Sequence, residues 1–520
     1  MNYAIGRTQM CSFIQELILN YCYQKSRYSL HFLNTHFVKT ASYSCNIAFQ
    51  TVYSDIMHPG IKPFALVLLL ISSVPALVSA QVNKSYPASR FPDRIILGFK
   101  GDASRSQAVN WRTDSTVTRA VVAIHEADPS PDFQKNARIV KATTQQITMD
   151  GRKVSYHEAA LTDLKPATQY VYRVGDGTYW SEWFHFKTAS DQNEPVSFLY
   201  FGDAQNDIRS LWSRTIRGAF TTLPDADFMI HAGDLINRAN ADYEWGEWFE
   251  AGGWVNGMIP SLAAPGNHEY FKGENRTGIL SRHWRPQFAL PENGPEGLTE
   301  TAYYIDYQGI RFISLNSQEA ISDPEVMEKQ AAWFEKTAKE NPNRWTIVFH
   351  HHPIYSTANG RDNDHWRTKM EPLYKQYHVD LVLQGHDHTY ARGINMPLGQ
   401  SRKKPDGPIY VVSVSGPKMY ALGLENWMDR AASNTQLYQT VHIDRNKLSF
   451  KAFTVNGDTY DAFDLLKDKN GRNTLVELSG SLQMQERLNL SDEMEKRFKE
   501  AELKEYNERF RKYKQRKNLK

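Results

Sequence analysis

Cysteine is nearly missing from this chain. Only Cys11, Cys22 and Cys45 occur in 520 residues. From Gln81 onward there is no disulfide and no thiolate metal site to build on. Excess charge disappears too once the first 80 residues are set aside. They hold five Lys/Arg and two Asp/Glu, which leaves 56 of each sign in the remainder, although the whole chain carries +3. The balance indicates no nucleic-acid partner. Long apolar runs are scarce. The uncharged stretch 63–80 has 18 residues, only just spanning length, and is interrupted by Ser72, Ser73 and Pro75. No internal repeat or low-complexity tract occurs, and 41% hydrophobic with 23% charged residues describes an ordinary globular protein of two or three domains.

The stretch 57–81, MHPGIKPFALVLLLISSVPALVSAQ, has the parts of a secretory signal. Lys62 is the positive flank, Phe64–Ile71 the apolar core, Pro75 the helix breaker, and Val78-Ser79-Ala80 the small-residue cleavage site. We expect cleavage after residue 80, no stable membrane span thereafter, and a secreted or periplasmic protein. A signal belongs at the start of a chain, so residues 1–56 are expected to be a gene-model extension and translation to begin at Met57.

Three segments follow. Residues 90–189 show short strands with turn signals, such as Arg94–Phe99 (RIILGF), Thr118–Ile124 (TRAVVAI) and Gln169–Val174 (QYVYRV), which predict a β-sandwich with Trp111 in its core. Residues 195–465 alternate apolar strands (VSFLYF, DFMIH, RFISL, WTIVF, VDLVLQ) with helical stretches such as 324–340, as in an α/β domain with covered sheet faces. Residues 489–520 predict a charged helix, capped by Ser491, with a rough apolar stripe and a basic end. Docking on its own domain and binding a partner are both open for that helix.

The chemistry-bearing residues stand where those strands end. Gly202-Asp203, Gly233-Asp234, Gly266-Asn267-His268-Glu269, His350-His351-His352 and Gly385-His386-Asp387-His388 each follow an apolar strand. The carboxyl edge of an open α/β sheet is where loops from neighbouring strands converge on ligands. One Gly-Asp is an ordinary turn, and one histidine pair is usually only a satisfied polar pair. Five clusters in succession form an oxygen and nitrogen donor set suited to Fe, Mn or Zn.

In order, GD, GDxxN, GNHE, VxxHxP and GHxH resemble the motifs of the calcineurin-like metallophosphoesterase superfamily. The whole chain resembles its purple acid phosphatase branch, including VNWRTD, LTDLKPATQYVYRVG and FKTA in the first domain. The resemblance implies an N-terminal fibronectin-III-like β-sandwich (α+β, α/β multi-domain class overall) followed by a four-layer α/β/β/α domain. It implies two metal ions, one held by Asp203, Asp234 and His388, the other by Asp234, Asn267, His351 and His386. Val348 and Pro353 frame His351 in its motif, and strand alternation predicts that His350 and His352 point away from a ligand at 351. His268 is implied as an outer-sphere acid or phosphate contact, oriented by Glu269. Arg361 is a candidate phosphate contact, and a loop salt bridge to Asp362 or Asp364 is the equal alternative. His365 is a weaker candidate.

Two positions depart from the branch. Asn237 stands where the purple enzymes place the tyrosine whose phenolate binds ferric iron and gives the colour, so a divalent or colourless mixed pair is expected. Gln205 stands where relatives place a histidine, and ligation and a structural role are both open for it. The implied reaction is hydrolysis of phosphate monoesters by attack of a metal-bound hydroxide. The alternatives are a phosphodiesterase or nucleotide-cleaving enzyme on the same site, and a non-enzyme with a vestigial site. A phosphate ester is the partner, and self-association is open.

Overall fold

The computed structural model describes residues 85–273, 278–394 and 403–517. The expected signal segment 57–80 and the expected extension 1–56 lie outside the described residues. Among those described, no helix is long and apolar enough to cross a membrane.

Residues 93–187 form two four-stranded antiparallel sheets. One contains Asp93–Gly98, Gln107–Asp114, Arg152–Leu161 and Thr143–Met149. The other contains Arg138–Lys141, Val121–Glu126, Gln169–Gly175 and Phe184–Lys187. Phe184 and Phe186 face inward and His185 and Lys187 outward, the period-2 pattern of a strand with one wet face. Trp111, Val109, Val122, Tyr172 and Phe186 fill the space between the sheets, with Trp111 fully buried.

Two seven-stranded mixed sheets make up the second domain. In the first, Ser261–Ala263, Phe228–His231 and Val196–Phe201 run parallel, and four antiparallel strands continue it from Leu437 to Glu477. In the second, Ile310–Ser314, Trp345–Phe349, Leu381–Gln384 and Ile409–Val412 run parallel between antiparallel edges. Strand parity explains the layering. Phe312, Ile347, Phe349, Leu381 and Leu383 point toward the first sheet and share its core, where Phe312 meets Phe198 and Phe228. The alternate residues Ile313, Val348 and Val382 point outward to helix residues Phe334, Trp366 and Met370. Helix Ser213–Thr222 covers the first sheet's outer face through Ile216 and Ala219. The result is the expected α/β/β/α stack.

Helix Pro324–Lys339 shows why its sequence makes a helix. Asp323 accepts the Glu325 N–H as N-cap, Pro324 occupies the first turn, and Met327, Gln330, Ala331 and Phe334 bury one stripe. The C-terminal segment differs from the single helix expected over 489–520. Ser491 caps a short helix, Asp492–Glu495, and a separate helix spans Glu500–Arg516. Tyr506 and Tyr513 are buried against the outer helical layer, so the segment docks on its own domain.

Candidate metal centre

The register of the parallel strands brings the five loops together. Phe201 is level with His231, and His231 with Ala263; Phe349 is level with Leu383. Each loop therefore leaves its sheet at the same edge. Asp203, Asp234, His386 and His388 all take left-handed backbone conformations, with φ of 41°, 53°, 76° and 49°. Non-glycine residues pay for that conformation, and such strain gathers at functional sites. Two glycines permit the crowding. A Cβ on Gly266 would lie 2.3 Å from Asp234 Oδ1, and one on Gly385 would lie 2.6 Å from Asp203 Oδ2.

The side chains form two clusters that share Asp234. One holds Asp234, His351 and His386, the other Asp203, Asp234 and His388, with donor atoms within 4.8 Å of one another. Asn267 joins the first, its Oδ1 3.1 Å from His351 Nε2 and 2.9 Å from His386 Nδ1. His351 Nδ1 donates to the Ala232 carbonyl at 2.8 Å, which turns its Nε2 toward the cluster. The Gln205 amide nitrogen lies 2.8 Å from Asp234 Oδ2 and 3.1 Å from His388 Nε2. Asp203 Oδ1, Gln205 Oε1 and His388 Nδ1 are buried without a hydrogen-bond partner. A buried acceptor left unpaired is costly, and a cation meets that need.

Electrostatics points the same way. Burial, with the neighbouring Asp234 charge, raises Asp203 well above the usual carboxylate range, while His351 pulls in the other direction. Burial opposes charge on Asp234 as well, but His351 and His268 outweigh it and hold Asp234 below that range. His351 itself, against its burial, is pushed up to about 9 by Asp234 and Asp203. Burial and adjacent imidazoles depress His386 far below the ordinary histidine range. Two buried carboxylates are thus left with too little positive charge, and the donor set fits a pair of small cations.

Several sequence expectations need correction in detail. Glu269 does not orient His268. It is buried and accepts the N–H groups of Asp234 (2.9 Å), Leu235 (2.8 Å) and Gly266 (2.6 Å), which ties two ligand loops together. His268 Nδ1 is held instead by the Asn237 carbonyl at 2.6 Å. His350 turns away into the helical layer, its ring 5.2 Å from Trp366. His352 stays near, its ring 4.2 Å from that of His386 and its Nδ1 3.0 Å from Ser317 Oγ. Strand alternation fails there because the strand ends at Phe349. Arg361 pairs with neither Asp362 nor Asp364, which Arg367 takes. Arg361 Nη1 donates to the His386 carbonyl at 3.0 Å and approaches Asp387 Oδ1 at 3.3 Å, with its guanidinium over Tyr420. His365 is exposed and outside both clusters. Tyr420 was not foreseen. Its ring meets His388 at 4.8 Å, but it lies 32 residues beyond the last motif, where no sequence signal points to it.

Comparison with known proteins identifies both domains. Residues 197–390 match the calcineurin-like phosphoesterase family, and residues 92–188 match the purple acid phosphatase N-terminal domain. Acid phosphatase type 7 of Danio rerio is 25% identical, with 74% of this chain and 93% of the relative aligned. Purple acid phosphatase 15 of Arabidopsis thaliana is 27% identical over 52% of this chain and 55% of its own. The structure of purple acid phosphatase PPD1 from yellow lupin (Lupinus luteus) seeds shares the fold. Its TM-score is 0.61 at 20% identity, covering 74% of this chain and 75% of that one. The chain belongs to the calcineurin-like metallophosphoesterases. Within them it is purple acid phosphatase-like, a metal-dependent phosphoester hydrolase.

Proposed function

We propose that the chain is an exported phosphatase that hydrolyses phosphate monoesters at two metal ions. Asp203, Asp234 and His388 would hold one ion, and Asp234, Asn267, His351 and His386 the other. The observation that carries this reading is Asp234, whose carboxylate belongs to both donor clusters. Fe, Mn and Zn all suit such oxygen and nitrogen donors. When bound, the pair supplies an activated water nucleophile and neutralises charge on phosphoryl oxygens.

The chain's own groups do the rest. The Asn237 carbonyl takes the Nδ1–H of His268, which leaves Nε2 to face the leaving oxygen and pass it a proton. That nitrogen lies 3.9 Å from Asp234 Oδ2, at the edge of the cluster. Arg361, pinned to the His386 carbonyl and Asp387, sets a fixed positive charge beside the site for phosphate oxygens. Glu269 keeps the Asp234 and Asn267 loops in register.

The test compares p-nitrophenyl phosphate with bis-p-nitrophenyl phosphate after loading with Mn, Zn or Fe. Faster turnover of the monoester supports the proposal. Preference for the diester overturns the monoester assignment, and inertness toward both overturns the enzymatic one. Export rests on the 57–80 signal features and is checked by the N-terminus of the mature protein, expected at Gln81.

A further inference from the structure

The sandwich and the metal-bearing domain meet at a buried ionic cluster. Arg94 Nη1 lies 2.8 Å from Asp242 Oδ1, Arg112 Nη1 lies 3.3 Å from Asp242 Oδ2, and His283 Nε2 lies 3.2 Å from Asp242 Oδ1. Arg94 Nη2 also donates to the Asp242 carbonyl at 3.0 Å. Arg94 sits at an irregularity between two sandwich strands with φ of 51°, a strained backbone that its surroundings must hold in place. Burying charges is costly unless they are paired, and here the Asp242 carboxylate meets two guanidinium groups.

Asp242 is the first residue of helix Asp242–Gly252. Glu244, in the same first turn, reaches back toward the Asp234 loop. Its Oε2 accepts the N–H groups of Asn237 and Arg238, both at 2.8 Å, and its Oε1 accepts Arg238 Nε and Tyr243 Oη at 2.9 Å. The peptide unit fixed in this way carries the carbonyl that holds His268 Nδ1. A carbonyl has no proton to give, so Nδ1 bears the hydrogen and Nε2 is left for the site.

We propose that Glu244 is a positioning residue for His268, and that the sandwich, through Arg94 and Arg112 on Asp242, anchors the helix that carries it. The inference rests on the donor role given to His268 above. In that role the Nε2–H bond breaks as the phosphorus–oxygen bond to the leaving group breaks, and the proton ends on the leaving oxygen. An alkoxide needs that proton, whereas p-nitrophenolate departs without it.

The experiment is a double-mutant cycle of Glu244→Gln and His268→Ala, read with an alkyl phosphate and with p-nitrophenyl phosphate. E244Q is expected to lower kcat for the alkyl ester about tenfold or more, within the range general acids supply, while kcat for the aryl ester changes less than about threefold. The double variant is expected to be no slower than H268A alone. Asp242→Asn is expected to give the same selectivity in weaker form. Equal losses on both esters, or multiplicative losses in the double variant, overturn the positioning role. An equal loss on both esters in D242N overturns the sandwich's part in it. A normal H268A overturns the donor assignment, and the positioning role falls with it. If E244Q fails to fold, Glu244→Asp enters the same cycle.

Discussion

Glu269 Oε2 accepts the Asp234 backbone N–H at 2.9 Å, and the same carboxylate accepts the N–H groups of Leu235 and Gly266. One buried side chain thus satisfies three donors on two loops. Glu269→Gln turns an amide N–H toward groups that need an acceptor. The expected cost is about 2–3 kcal/mol of stability, the penalty for buried donors left unpaired. Turnover should fall about a hundredfold as the Asp234 and Asn267 loops drift apart. Urea unfolding and steady-state kinetics check both, and a Gln variant with normal values contradicts the tie.

Asn237 contributes its backbone to Glu244 and His268. With an amide side chain in place of a phenol, protein loaded with iron is expected to show no phenolate charge-transfer band. Asn237→Tyr is expected to introduce one. Visible spectra of the two iron-loaded proteins decide the matter; colour in the wild type, or its absence in the variant, contradicts the assignment of that position.

His231 is buried with neither ring nitrogen paired, inside a cage of Phe201, Trp212 and Trp248. Burial pushes its imidazole down to about 3. The unfolded chain takes up the proton first, near pH 6.5. The stability due to the neutral ring is therefore complete above that pH and is lost as pH falls toward about 3. At pH 5 the loss from this one residue is about 2 kcal/mol relative to pH 8. His231→Phe keeps the packing and removes the penalty, so its advantage over wild type in urea unfolding grows from pH 8 to pH 5. An unchanged difference contradicts the argument.

Much of the site was legible because each ligand-type residue directly follows an apolar strand, and parallel strands place their ends together. The layered fold followed from the same runs, since WTIVF and VSFLYF are apolar on both faces and require two covered surfaces. What escaped the sequence depends on contacts between distant segments. Glu269 reads as a partner of its neighbour His268 until the fold shows the Asp234 loop against it. Arg361 reads as a partner of Asp362 until Arg367, one turn into the next helix, claims that carboxylate. Alternation misplaced His352 because the strand stops at Phe349, immediately before the histidine run. The tail reads as one helix because its apolar stripe continues through residues 496–499, where the chain breaks between two helices.

Metal content tests the central claim most directly. Plasma emission analysis of protein loaded with Mn or Zn and then freed of excess metal is expected to find about two ions per chain, as for dinuclear hydrolases. Asp234→Ala is expected to lose metal and phosphatase activity together, because one carboxylate serves both clusters. A D234A protein that keeps two ions and a near-normal rate would contradict the account.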